Sequence, residues 1–283
     1  MNEFAVFILS HGRPDNVITF DTLKKQGYTG KVFIIIDNED KTSEQYYSRF
    51  GKENVIMFDK IEVSKTFDSA DNFDDRKCII YARNACFEIA ERLGYEYFLQ
   101  VDGDYTAFDY RLYIDKAVVK PVINLDSLFN YILKYYKTLD VMSICMAQGG
   151  DFIGGLDNGK DLYRFSLRKA MNTFFCSTRR KFNFVGRINE DVNTYTYFQS
   201  QGNIFLTIPF CSITQKQTQG TKGGMTETYL SGGTYLKSFY SVLFQPSAVK
   251  LKMMNASNKR IHHSINWDNA VPCIIDEKHK KYE

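Results

Sequence analysis

Tyr97-Phe98-Leu99-Gln100-Val101-Asp102-Gly103-Asp104 is the stretch on which the reading of this 283-residue chain turns. Its apolar run has the length and composition of a buried strand, and it ends in two carboxylates one residue apart. In an open α/β sheet, ligands bind in the crevice outside the carboxyl ends of the strands. Asp102 and Asp104 would therefore stand at a ligand-binding edge. Two carboxylates are hard oxygen donors, suited to Mg²⁺ or Mn²⁺ shared with a substrate phosphate. An Asp-x-Asp spacing is common, so its meaning depends on the rest of the chain.

Upstream, Phe4 to Leu9 is a short, wholly apolar run, as expected of a buried parallel strand, and it breaks at Ser10-His11-Gly12-Arg13-Pro14. Asn16 to Gln26 reads as a helix stopped by Gly27, and Lys31 to Ile36 as a second strand ending in Asp37-Asn38-Glu39-Asp40. Ser43 to Phe50 is helical, and Asn54 to Phe58 is a third strand. This alternation predicts parallel pairing through right-handed crossovers. Residues 62 to 75 are polar and Asp-rich, a loop from which Asp74 or Asp75 would cap a helix running to Leu93. Ile79, Ala82, Cys86, Ile89, Ala90 and Leu93 keep helical spacing, and Gly94 is a good stop.

Further on, Ile123 to Tyr136 reads as an amphipathic helix capped by Asn124, and Val141 to Ala147 as a strand. A Gly-rich stretch spans Gln148 to Gly155. Gly186-Arg187-Ile188-Asn189-Glu190-Asp191 leads into a helix, and Ile204 to Ile208 and Val249 to Met254 are strand-like. Residues 217 to 224 are polar with three Gly and read as a mobile loop.

Composition narrows the class. Hydrophobic residues at 44% and charged residues at 24% suit a soluble globular protein, and 19 Tyr with 23 Phe suit a well-packed core with rings to spare for stacking. A net charge of +3 permits an anionic partner without demanding one. The six Cys (Cys78, Cys86, Cys145, Cys176, Cys211 and Cys273) form no CxxC pair and read as free thiols in a reducing compartment. No signal-peptide pattern opens the chain, and no run approaches the roughly 18 apolar residues of a membrane span. The expected location is cytoplasmic, with no membrane partner.

Four groups could carry chemistry. Ser10-His11-Gly12-Arg13 would face the same edge as Asp102; Gly12 allows close backbone approach, and Arg13 could hold a base edge or a phosphate. An ordinary βα turn has the same composition, and neither GxGxxG nor GxxxxGK[ST] is present. Asp37 is placed to accept from a ribose hydroxyl or base N–H, or to cap a helix. Arg76 and Arg83, seven residues apart, would share one helix face, with Asn84 beside them. A guanidinium there neutralises a diphosphate or clamps a carboxylate, unless it is surface charge. Glu190-Asp191 could supply a general base, and equally fits the first turn of a helix. His262-His263 could complete, with Asp104, an oxygen–nitrogen shell around Mn²⁺, although most histidines are not ligands. Trp267 could close over a sugar or base, or sit in the core.

Taken in order, Phe7-Ile8-Leu9-Ser10-His11-Gly12-Arg13-Pro14, Ile35-Ile36-Asp37, Tyr81-Ala82-Arg83-Asn84 and Asp102-Gly103-Asp104-Tyr105 resemble the motifs of GT-A glycosyltransferases. Over nearly its full length the chain resembles the phage and bacterial TET-associated glycosyltransferases. Gly186 to Asp191, Lys222-Gly223-Gly224-Met225-Thr226-Glu227, and His262-His263 through Asn266-Trp267 are similar to that group's later blocks. The group is related to the enzyme that glucosylates hydroxymethyluracil to make base J in trypanosome DNA.

The resemblance implies a single GT-A α/β domain, with a mostly parallel, Rossmann-like central sheet flanked by helices. Residues 1–111 would bind the nucleotide sugar, and residues 112–283 would hold the catalytic base and the acceptor. It implies a UDP-sugar donor, Mn²⁺ or Mg²⁺, and DNA carrying a hydroxymethylpyrimidine as acceptor. Ser10, His11, Gly12, Arg13 and Asp37 would grip the nucleotide, and Arg76, Arg83, Asn84 and Lys222 the phosphates or sugar. Asp104, with His262 or His263, would bind the metal, while Asp102 touches the metal shell or the ribose. Asp191, with Glu190 as understudy, would take the acceptor proton in an inverting displacement. Many relatives carry Asp where this chain has Gly103, so the local loop is expected to be more flexible. Lys216, Lys222 and the 217–224 loop would contact DNA phosphates. Two other readings stand beside this one: a transferase acting on a saccharide, lipid or protein, and a non-catalytic nucleic-acid-binding module on a transferase fold.

Overall fold

A strand with an unbroken apolar sequence has to be covered on both faces, and β1 (Phe4–Leu9) is, with Ala5 to Leu9 all buried. In the computed structural model, which describes residues 3–71, 76–113, 117–149, 164–216, 235–255 and 259–271, β1 is the middle of a parallel set. β2 (Lys31–Asp37) pairs with one side of it and β3 (Val55–Phe58) continues outward from β2. β4 (Tyr97–Asp102) pairs with the other side of β1. Leu9 is in register with Ile35 on β2 and with Asp102 on β4. The turn after β1, the end of β2 and the Asp102 carboxylate therefore emerge at one edge.

The two faces of β1 feed two cores. Val6 and Ile8 pack with α1 (Ile18–Lys25), α2 (Ser43–Phe50) and α5 (Leu125–Thr138). Ala5, Phe7 and Leu9 pack with α4 (Ile80–Arg92) and α6 (Glu190–Ser200). The alternation is the period-two signature of a strand buried between helical layers.

Beyond β4 the sheet becomes mixed. β8 (Phe174–Ser177) is antiparallel to β4 and to β7 (Ser143–Ala147), and β7 is parallel to β9 (Phe205–Gln215). β5 (Tyr105–Tyr113) is antiparallel to β9, and β6 (Ala117–Pro121) closes that side. The order of the nine strands is β3-β2-β1-β4-β8-β7-β9-β5-β6. β9 serves two partners: Phe205 to Ile208 and, past a register shift, Ser212 lie against β7, and Cys211 to Gln215 against β5. Pro209, which has no N–H for a ladder, lies in the register shift. A second sheet, β10 (Val249–Asn255) with β11 (Lys259–Ile265), packs against α7 (Leu236–Phe244), and α8 (Trp267–Ala270) follows.

The expected parallel half, its helices and Asn124 as the cap of α5 all appear, the last through Ser127 N–H donating to Asn124 at 2.9 Å. Three expectations are corrected. Residues 62 to 75 are not loop throughout: Asp59 caps α3 (Lys60–Ser64) by accepting from the Ile61 and Glu62 N–H groups. α4 begins at Ile80, so Arg76 precedes the helix and does not share its face with Arg83. The reason is tertiary: Arg76 Nε reaches Glu39 at 2.8 Å, beyond β2. Asp74 and Asp75, the 217–224 loop and most of the stretch from Gln148 to Gly155 lie outside the described residues. Finally, β5, β6, β8 and β11 have no counterpart in the sequence reading. The five described cysteines are free, four of them buried.

The approach to α6 carries a demanding residue. Gly186 has φ +78°, and a Cβ there would stand 2.3 Å from Asn193 Nδ2 and 2.6 Å from Phe244 Cε2. At Gly94, with φ +77°, a Cβ would meet nothing within 4 Å. Gly186→Ala is expected to destabilise the fold by about 2–4 kcal/mol and Gly94→Ala by only about 1 kcal/mol. Urea denaturation of the two variants measures the difference; equal midpoints would show that the Gly186 contact yields without cost.

Candidate functional site

The edge of β4 is organised by one guanidinium. Arg83, on α4 and 1% exposed, donates through Nη2 to Asp102 Oδ1 and through Nε to Glu190 Oε1, each at 3.0 Å. Phe174 and Phe184 lie against it, with ring centres 5.2 and 5.6 Å from the guanidinium carbon. Its third nitrogen, Nη1, is buried and has no hydrogen-bond partner in the described chain. Arg83 is thus a buried cation between the β4 carboxylate and the α6 carboxylate, not a surface charge. With Nε and Nη2 engaged, it positions those two carboxylates. Its neighbour Asn84 is likewise occupied: it donates to Phe184 O at 3.0 Å and accepts from Phe184 N–H at 2.7 Å. Asn84 thereby holds the segment that carries Phe184 beside Arg83.

The Asp102-Gly103-Asp104 turn is pinned, in contrast to the looseness expected of Gly103. Thr19 donates from Oγ1 to Asp102 O at 2.6 Å and from its N–H to Gly103 O at 3.2 Å. It also accepts from Tyr105 N–H at 2.9 Å. A Cβ on Gly103 would stand 3.7 Å from an Arg13 guanidinium nitrogen, so Arg13 lies beside the two carboxylates. Asp104 Oδ1 is buried and receives no hydrogen bond within the described chain. Burial, with the Asp102 charge adding to it, pushes the Asp104 carboxyl up to about 6, against the pull of Arg13 and Lys216. Burial also raises Asp102, opposed by Arg83 and Arg13.

The turn after β1 is built from residues that the sequence reading singles out and from three that it passes over. Ser10 Oγ lies 2.7 Å from the Tyr46 hydroxyl, which also accepts from Arg13 N–H at 3.0 Å. Gly12, with φ +65°, donates its N–H to Asp40 at 2.7 Å. His11 Nδ1 is 2.7 Å from Asp37 Oδ2, and the buried Lys60 ammonium is 3.3 Å from Asp37 Oδ1. Glu39 N–H donates to the same Oδ1 at 3.1 Å. Burial raises the Asp37 carboxyl, but His11 and Lys60 outweigh it and hold the group below its usual value. Both Asp37 oxygens are engaged, and through Oδ2 Asp37 supports His11. That ring is 46% exposed against 6% for Asp37, and with Nδ1 turned inward its Nε2 is the atom left for a ligand. A buried lysine such as Lys60 leaves no sequence signal; Asp40 and Tyr46 sit in polar or amphipathic stretches that give no reason to choose them.

Glu190 and Asp191 open α6, next to the edge. Asn189, in the left-handed region at φ 61°, turns the chain into the helix, and Asn193 secures the bend by donating to Val185 O and Ile188 O. Ser241 of α7 donates to Asn193 Oδ1 at 2.8 Å. Arg187 is fixed by Asp71 at 2.9 Å and by the Tyr240 hydroxyl. Burial, reinforced by Asp191 and opposed by Arg83, pushes Glu190 up to about 7. Burial raises Asp191 as well, against the Val192 N–H and the charges of Arg83, Lys237 and Lys169.

The remaining expected residues fall elsewhere. His262 and His263 lie on β11, in the second sheet, and His263 is buried. Among the described residues no three His, Cys, Asp or Glu side chains converge to hold a metal, so the expected set of Asp102, Asp104 and a histidine is not assembled. The separate two-stranded sheet accounts for this. Arg76 pairs with Glu39, and Lys222 lies outside the described residues. Trp267 stacks on Tyr195 at 6.0 Å and belongs to the core side.

Arg83→Met removes the shared partner of two buried acids, and a loss of about 3–5 kcal/mol is expected near pH 8. The loss should shrink at pH 5, where the carboxyls can take up protons. Wild type should show a related slope. Glu190 keeps its proton to about 7 when folded, whereas an unfolded Glu releases it near 4.5. Stability contributed below pH 4.5 is then lost as pH rises towards 7. Thermal midpoints across pH 4–8 should fall less steeply in Glu190→Gln; parallel profiles would remove Glu190 as the titrating group.

A model of the TET-Associated Glycosyltransferase family matches residues 4–224. No curated protein matches the sequence. Among solved structures, one similar chain is glucosyl-3-phosphoglycerate synthase from Mycobacterium tuberculosis, in complex with Mn²⁺, UDP and phosphoglyceric acid. It is 8% identical, with TM-score 0.47 and coverage of 96% of this chain and 88% of that one. Another is S. aureus TarS 1–349 in complex with UDP-GlcNAc, 14% identical, with TM-score 0.42 and coverage of 85% and 66%. The family match runs from β1 through the Asp102 turn and α6 to beyond β9, and so includes Arg83, Asp102, Asp104, Glu190 and Asp191. On the strength of a match over most of its length, the chain belongs to the TET-associated glycosyltransferase family and is a glycosyltransferase.

Proposed function

We propose that the protein moves a sugar from a UDP-sugar to the hydroxyl of a hydroxymethylpyrimidine base in DNA, with a divalent metal and with inversion. The observation that carries this reading is the Arg83 bridge. One buried guanidinium holds the β4 carboxylate and the α6 carboxylate at 3.0 Å each, so a donor edge and a candidate base are fixed relative to each other. Family membership supports glycosyl transfer, and the kinship with base-J synthesis suggests the DNA base.

The residues present fit a metal. Mg²⁺ and Mn²⁺ are usually held by one or two carboxylates together with substrate phosphates. Asp104, whose buried Oδ1 has no hydrogen bond from the described chain, and its neighbour Asp102 would supply those carboxylates. When bound, the metal would supply positive charge to the departing diphosphate. Arg13, beside Gly103, would add its own charge there. The Gly12–Arg13 backbone, set by Asp40 and Tyr46, would receive the nucleotide, with His11 as the exposed contact. Asp191 would accept the proton of the acceptor hydroxyl. Glu190, held by Arg83, would keep the first turn of α6 in place. The hydroxymethyl group projects into the major groove, so extrusion of the base is not a requirement.

Nucleoside mass spectrometry tests the reading. Hydroxymethylpyrimidine DNA, incubated with the protein, Mn²⁺ and a panel of UDP-sugars, is expected to gain a hexose-sized mass on the modified base. Metal-dependent release of UDP without that gain would keep the transferase and discard DNA as acceptor. Asp104→Asn should lower the rate by about 10²-fold or more. Full metal-dependent activity in that variant would remove Asp104 from the metal site.

A further inference from the structure

We infer that the β10–β11 ribbon is a duplex-docking arm that lies against the phosphates of DNA beside the acceptor site. The inference rests on the proposed DNA acceptor for its partner, but its observations come from elsewhere in the chain.

The first is a charge asymmetry. From Thr228 to Trp267 the sequence contains no Asp or Glu, and it carries Lys237, Lys250, Lys252, Lys259 and Arg260. The chain has 36 Lys and Arg; less these five, 31 remain against 33 Asp and Glu. The stretch alone therefore carries five positive charges and no negative one, in a chain whose net charge is +3. An asymmetry of this kind is the electrostatic footprint expected of a polyanion-binding element. The stretch also begins after residue 224, where the family match ends.

The second observation is shape. β10 and β11 form a two-stranded antiparallel ribbon of seven paired positions, separate from the main sheet and packed chiefly on α7. Lys250 and Lys252 fall on one face, opposite Ser264 and His262, and both lysines are exposed. The other face shows Leu251, Met253 and Ile261, at 42%, 53% and 36% exposure. Exposed side chains thus lie on both faces of the ribbon, at Lys250 and Lys252 on one and at Leu251, Met253 and Ile261 on the other. A two-stranded ribbon is also one of the two protein shapes that the major groove admits.

The third observation is location. His263, opposite Leu251 near the buried end of the ribbon, is buried within the influence of Lys169 and Lys237. The same two lysines act on Asp191. The ribbon thus springs from the side of the molecule that carries the proposed catalytic base. A hydroxymethyl group in the major groove would be presented to Asp191 by a duplex held along that basic track.

The test is fluorescence anisotropy with a labelled 20-base-pair duplex containing hydroxymethyluracil, across a salt series. Lys250→Glu/Lys252→Glu is expected to weaken binding by about tenfold or more. It should also lower the slope of log affinity against log salt by about two, as for two lost phosphate contacts. Lys250→Gln/Lys252→Gln, a milder change at exposed positions, should lower the slope alike, and an unchanged thermal midpoint verifies the fold. Duplex binding with wild-type affinity and slope in both variants would overturn the inference. So would wild type that ignores the duplex but binds phosphatidylglycerol vesicles through these lysines. Lysine-dependent duplex binding without any sugar transfer to DNA would keep the ribbon and discard the acceptor assignment. Transfer to DNA with lysine-independent binding would do the reverse.

Discussion

A buried guanidinium shared by two carboxylates sets the terms for the whole edge of this sheet. Taking Arg83, Asp102 and Glu190 out of water is costly, and their attraction offsets the cost only while the geometry is kept. Everything nearby serves that geometry. Asn84 fastens the segment carrying Phe184, whose ring lies against the cation. Gly186, Asn189 and Asn193 bend the chain so that α6 starts with Glu190 facing Arg83. Thr19 fixes the backbone around Asp102 from the other side. The arrangement confers little net stability, because much of its electrostatic gain returns the desolvation cost. What it confers is register between β4 and α6, two elements that are 88 residues apart at their nearest ends.

That separation explains how far the sequence can be read. β1, β2, β3 and β4 are legible because a strand buried on both faces has an unbroken apolar run, which needs no knowledge of its neighbours. The ends of those strands place Ser10 to Arg13, Asp37 and Asp102 at one edge by topology alone. The mixed half is not legible. β8 has only four residues, and β5 interleaves Thr106, Asp109 and Arg111 with its apolar positions, so neither has the continuous run. Arg83 stands out from its local context, but its partner Glu190 lies 107 positions away, and no local pattern pairs them. Asp37 shows the opposite failing. Its position follows from the sequence and its partners within the chain do not, because they are His11 and Lys60, a buried lysine that composition and spacing do not reveal. Arg76 is misplaced because helical periodicity extends backward past a start that a tertiary ion pair decides.

The mixed half has its own logic. β5 begins three residues after β4 ends, yet four places away in the strand order. The Asp102-Gly103-Asp104 turn is therefore the direct covalent link between the parallel set and the antiparallel set. β9 joins the two sets, its first half lying against β7 and its second half against β5, with Ser212 paired to both. A carboxylate pair placed at that junction is held by backbone from both sets, which is why the absence of a side chain at Gly103 does not loosen it.

The strand at the far end of the order, β6, bears on how the molecule behaves in company. An open sheet edge is a template on which another chain can add a strand. One outer strand here, β3, is only four residues long. The other, β6, carries an exposed Lys120 and closes with Pro121, which offers no N–H to a newcomer. A nine-stranded sheet with such ends offers an incoming strand little to pair with at either border.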